Sequence, residues 1–138
     1  MHTRLIMSAA IFVLAACTPP MEPDNVLRDS KWTITAIDGN TLVRPQQASL
    51  EFGSRELATN IGCNRISGPW RIEGEHLIAG PLVQTEIYCE GPVWQQEKAL
   101  SALLASAPTI EVEEDRLMLV SYGHDVRMER VNPRQSAP

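Results

Sequence analysis

Cys63 and Cys89 carry the most distinctive chemistry in this chain, because a thiol pair can close a disulfide, supply a nucleophile or ligate a metal. Zinc favours closely spaced ligand pairs. No CxxC or HxxxH spacing occurs, and only His76 and His124 could join the two thiols in a later segment, so neither metal nor cofactor is expected. Thr85 offers a hydroxyl that attacks only with a base beside it, and no Ser/His/Asp or Cys/His order of a catalytic signature is present. Glu86, Glu90 and Glu97 could pair for acid and base work. The simpler reading places Glu97 half-buried on a helix, in an ion pair with Arg65 or Arg71. Asn64, directly after Gly62-Cys63, suits a turn or a backbone cap. Trp32, Trp70 and Trp94 read as core or rim, and His124 beside Asp125 as a turn residue. The chain is therefore expected not to be an enzyme, with a hydrolase using Glu86 or Thr85 as a minor alternative.

Short alternating strands must position these residues. Lys31 to Ile37 alternates Trp32, Ile34 and Ala36 against polar residues and runs into the turn Asp38-Gly39-Asn40. Ser49 to Phe52 and Glu56 to Ile61 follow as strands. Trp70 to Glu73 and His76 to Ile78 flank the hairpin turn Gly74-Glu75, and Leu82 to Tyr88 reads as another strand. From Pro92 the period changes to helical, with Val93, Gln96, Leu100, Leu103, Leu104 and Ala107 on one side, until Pro108 ends the helix. Thr109 to Val112, Arg116 to Tyr122 and Val126 to Val131 complete the strands. About eight or nine antiparallel strands, with one helix inserted after the sixth, must curve strongly or close to bury an apolar face. The fold class is α+β, a strongly curved sheet or partly open β-barrel.

The N-terminal segment has a different character. Met1 to Arg4 supply a basic start, and the apolar run Leu5 to Val13 is too short to span a bilayer, which needs about 20 residues. Leu14-Ala15-Ala16-Cys17 resembles the lipobox of bacterial lipoproteins. That resemblance implies a signal peptide over 1–16, cleavage before Cys17, and acylation of the Cys17 thiol and new amino group. Thr18, where Asp would signal retention at the inner membrane, implies an outer-membrane protein facing the periplasm. Residues 17–29, with Pro19, Pro20 and Pro23, read as an extended tether. Removing 1–16 takes away one basic residue, Arg4, and no acid, so the net charge of −5 becomes −6. Such a balance argues against nucleic acid and against docking on anionic headgroups. In an oxidising compartment a Cys63–Cys89 disulfide is favoured over two reduced core thiols, and would contribute about 3 to 4 kcal/mol.

Gly62-Cys63-Asn64-Arg65, Gly68, an aromatic at Trp70, then Leu77, Pro81-Leu82, Thr85, Cys89 and Glu97 form an ordered set that resembles the META domain, the HslJ-like heat-shock lipoprotein family. The resemblance runs from Trp32 through Leu117 and Leu119 to the last strand, over a domain at 30–132, followed by a frayed tail at 133–138. Trp70 stands where Tyr is more common, and Ile87-Tyr88 where many members have Met-Ala. Members are small envelope proteins, some tied to heat, drug tolerance or secretion, and their fold looks like that of lipid-binding pilot proteins. The resemblance implies a non-catalytic, stress-related envelope lipoprotein that binds or stabilises another envelope component. A pilot-like module that binds an acyl chain is the alternative. If the barrel is cracked, Trp94, Leu100 and Leu104 would line an apolar slot for that chain; otherwise an exposed strand edge is the candidate surface.

Overall fold

The computed structural model describes residues 22–132. The expected signal peptide over 1–16, Cys17 and the expected tail at 133–138 lie outside the described residues. Ten strands form one antiparallel sheet, and eight of them close into a ring. In chain order these are β1 (Ser30–Ile37), β3 (Ser49–Phe52), β4 (Glu56–Asn60), β5 (Arg65–Glu73), β6 (His76–Ala79), β8 (Thr109–Glu113), β9 (Arg116–Ser121) and β10 (His124–Arg130). β2 (Asn40–Thr41) hangs on the end of β1, and β7 (Val83–Gln84) lies against the start of β5. β1 pairs with β10 to close the barrel. Its thinnest seam joins β6 to β8, where His76 and Thr109 are the paired residues. Two main-chain bonds hold that seam, from Leu77 N to Pro108 O and from Ile110 N to Glu75 O.

Eight strands enclose a space that side chains can fill. Trp32, Leu50, Phe52, Leu57, Leu77, Leu117, Leu119 and Val126 fill it. A bulge in β1 between Ile34 and Ala36 changes which side chains point inward. Ile37 is therefore buried, where strict alternation had predicted Ala36. Gly68 is required by proximity, since a Cβ there would sit 2.5 Å from the carbonyl oxygen of Pro81.

Helix α2 (Pro92–Ala105) starts after Gly91, whose φ of 72° suits glycine, and buries Val93, Glu97, Leu100, Leu103 and Leu104. It covers the end of the barrel at which β1 finishes, where Gln96 donates to Thr41 O and accepts from Val43 N. The opposite end is covered by α1 (Pro23–Leu27), a helix that the tether reading of 17–29 did not anticipate. Leu27 is fully buried in the core. Arg28 reaches Ser54 O, Arg130 Nη2 donates to Val26 O, and the Arg130 guanidinium stacks 4.4 Å from the centre of the Trp32 ring. Within the stretch expected to be tether, Val26 and Leu27 are an apolar pair that the barrel end captures.

Candidate functional site

The residues singled out by the motif converge at the α2 end of the barrel. Gly62, with φ of 106°, turns the chain from β4 into β5, and its carbonyl accepts from Arg44 Nη1. Cys63 next to it is bridged to Cys89, with Cα atoms 6.3 Å apart, so this loop is tied to the segment leading into α2. Asn64 is buried behind the bridge.

The Asn64 carboxamide uses its whole hydrogen-bonding capacity. Its Oδ1 accepts from Ile87 N at 2.7 Å and from Thr85 Oγ1 at 2.8 Å. Its Nδ2 donates to Ile87 O at 3.1 Å and to Glu97 Oε1 at 2.8 Å. Both main-chain groups of Ile87 are thus paired with one side chain, as they would be with a neighbouring strand. That fixes residues 85–88 against Asn64 although only Val83 and Gln84 belong to the ladder. The strand expected over Leu82 to Tyr88 is in this sense half sheet and half side-chain pairing. Thr85 completes the arrangement, its N donating to Arg65 O and its Oγ1 accepting from Arg65 N.

Glu97 is 1% exposed and has no cation beside it among the described residues. The expected ion pair with Arg65 or Arg71 does not form: the Arg65 side chain is exposed, and Arg71 pairs with Glu73. Its carboxylate accepts from three amide donors instead, Asn64 N at 2.7 Å, Asn64 Nδ2 at 2.8 Å and Gln84 Nε2 at 2.7 Å. A buried carboxylate is tolerated when such donors replace water. Sequence reading passed over Gln84. The available signal was Glu97 itself, an acid at the i+4 place of the buried stripe that begins at Val93.

Above this polar floor the surface is apolar. Val83 is 67% exposed, Ile87 60%, Tyr88 84% and Trp94 36%. Asn64, Thr85, Ile87, Tyr88 and Trp94 line a concavity of about 480 Å³. Glu86 and Glu90 are exposed at its rim, where Tyr88 Oη donates to Glu90, and the Lys98 ammonium lies 5.7 Å from the centre of the Trp94 ring. The structure separates the three residues of the expected apolar slot. Leu100 and Leu104 are fully buried in the core, whereas Trp94 lies about 100° round the helix from Val93 and faces this concavity.

The histidines lie elsewhere. His76 Nδ1 donates to Ala107 O at the β6–β8 seam, and His124 Nδ1 is 2.9 Å from Asp38 Oδ2 in a turn. Among the described residues no group of three or more His, Cys, Asp or Glu is arranged to hold a metal, and no helix is long and apolar enough to cross a membrane.

No curated protein sequence matches the chain. Solved structures share its fold, among them two determined by NMR. An NMR structure of a protein from Burkholderia xenovorans is 23% identical, with a TM-score of 0.64, covering 91% of this chain and 99% of that one. A second NMR structure is 18% identical, with a TM-score of 0.70, covering 79% of this chain and 95% of the other. The META domain family model matches residues 25–133, a span that takes in the barrel, the end of α1, all of α2 and the disulfide-bound loop. The chain belongs to the META domain family.

Proposed function

We propose that this protein is a non-catalytic envelope lipoprotein, anchored through Cys17, whose barrel presents the Val83–Trp94 surface to a segment of another envelope protein. One observation carries the reading: a buried network and a disulfide are spent on fixing an exposed apolar segment. Unsupported, Thr85 to Cys89 would be a loop that loses conformational entropy on binding. Held by Asn64, Glu97 and Cys63, it meets a partner already ordered, which is how a small surface gains affinity. Ile87, Tyr88 and Trp94 include the aromatic types that dominate binding energy at interfaces. The groups that could be taken for catalytic are occupied. Thr85 Oγ1 directs its proton at a carboxamide oxygen, a poor base, and the Glu97 oxygens face amide donors.

The stress role and the outer-membrane location belong to the same proposal and rest on the family resemblance and on Thr18. The test is a photo-crosslinking amino acid at position 88 in the anchored protein in its own cells. A discrete adduct with one envelope protein is expected, weakened by Trp94→Ala and not formed from a probe at Tyr122, which is even more exposed than Tyr88. The same adduct from both positions, or none from position 88, would overturn the reading.

A further inference from the structure

The described chain starts and finishes at the same end of the barrel. Leu27 and Arg28 pack beside the β3–β4 turn, and Val131 N donates to Lys31 O at the start of β1. Register places the turns at Ser54, Gly74 and Glu114 at this end too, through the pairs Phe52–Leu57, Glu73–His76 and Glu113–Arg116. The surface of Ile87, Tyr88 and Trp94 lies at the other end, beside α2. β1 has eight residues, so its length of about 26 Å, reduced by the usual tilt of barrel strands, gives a barrel about 20 Å tall.

Only Thr18 to Met21 separate Cys17 from Glu22. Whatever its conformation, the chain from Cys17 to Glu22 reaches at most about 17 Å. We infer that the barrel stands on the bilayer by its α1 end and holds the Val83–Trp94 surface away from the membrane that anchors it. This rests on acylation of Cys17. A leash shorter than the barrel cannot pass round it to bring the far end down. Nor does the near end present a basic patch that would lay it flat on anionic headgroups, since the exposed Arg28, Arg55 and Arg116 are interleaved there with the exposed Glu73, Glu75, Glu114 and Asp115. The occupant of the far surface is accordingly a protein segment projecting into the compartment, and not lipid of the anchoring leaflet.

The experiment uses the full-length acylated protein in phosphatidylethanolamine and phosphatidylglycerol vesicles carrying a headgroup-attached quencher. An environment-insensitive fluorescent amino acid is placed at Arg55, in the β3–β4 turn, or at Glu86. Loss of most of the fluorescence is expected at position 55 and none at position 86. Equal quenching, or stronger quenching at 86, would overturn the orientation. Inserting about 20 Gly and Ser residues before Glu22 should abolish the difference, because a flexible leash of that length exceeds the barrel height. A difference that survives the insertion would show that headgroup contacts, and not the leash, orient the barrel, and would overturn the inference as well. The mass of the Cys17 peptide is read separately. An acylated peptide with equal quenching rejects the orientation alone, whereas an unmodified Cys17 rejects the anchor and the orientation together.

Discussion

Asn64 and Glu97 share one hydrogen-bond network, and its chemistry predicts that Glu97 will not tolerate its isostere. In Glu97→Gln, one of the two acceptor oxygens becomes an NH2 group that faces the N–H donors of Asn64 or Gln84. Leaving buried donors unpaired costs about 1 to 3 kcal/mol, which lowers Tm by about 4 to 8 °C per kcal/mol in a domain of this size. Asn64→Ala removes both the carboxylate's partner and the pairing of Ile87. The Asn64→Ala and Glu97→Ala losses should therefore be strongly non-additive in a double-mutant cycle, with the double variant losing clearly less than the sum. Thermal unfolding of the four proteins checks this, and simple additivity would refute the coupling. The Cys63–Cys89 bridge works on the same loop from outside. Closing a loop with a sequence separation of 26, it is worth about 3 to 4 kcal/mol in the chain-entropy account, so a reducing agent should lower Tm markedly and alkylation of the denatured, unreduced protein should label neither cysteine.

At the scale of elements, α1 is the piece whose removal is most informative. Leu27 is fully buried, so Leu27→Ala is expected to cost about 2 to 5 kcal/mol, although the residue precedes the first strand. A chain beginning at Ser30 should unfold at least as early as Leu27→Ala in the same melting experiment; a Tm equal to that of the full domain would make α1 an ornament. Sequence could not show this helix, since a five-residue turn has no period to detect and its Pro-rich flank reads as spacer. The central strands were legible because their alternation survives almost intact. The first half of β5 was missed because Gly68-Pro69 reads as a break in isolation. Gly68 is in fact the place where Leu82 crosses closely, and Pro69 is exposed. The candidate site divides in the same way. Its residue types were legible from Gly62 to Glu97, but their partners were not, because Gln84 and Asn64 meet Glu97, and Ile87 meets Asn64, only through the crossing of β5, β7 and α2. Trp94 was grouped with Leu100 and Leu104 on hydrophobicity, and the helical angle of about 80° to 120° between them turns it out of the core to the flank that faces the concavity.

For the whole molecule, the proposed anchor at Cys17 is what membrane attachment is expected to rest on. Both ends of the barrel are occupied by helices, and the interior by Trp32, Phe52 and the leucines, so the domain offers no apolar face of membrane size. With residues 1–16 removed its net charge of −6 repels anionic headgroups. Among the described residues no helix can span a bilayer, and Leu5 to Val13 is too short to do so. Membrane binding should therefore depend on the sulfur of Cys17. In Cys17→Ser the hydroxyl cannot form the thioether that carries the diacylglycerol, and processing that awaits the thioether stops. The expected product is a precursor of unchanged size or a soluble domain, either of which leaves the membrane fraction in a carbonate wash while the parent protein stays until detergent is added. Each acyl chain buries enough methylenes, at about 0.8 kcal/mol apiece, for two or more to make the parent's attachment stable through the wash. The folded domain should not notice the change. Cys17 precedes α1, so the Tm of the variant should stay within the roughly 0.5 kcal/mol typical of substitutions outside the packed structure. Wash-resistant membrane binding by Cys17→Ser would show that another surface holds the bilayer, and would remove the anchor from which the standing orientation follows.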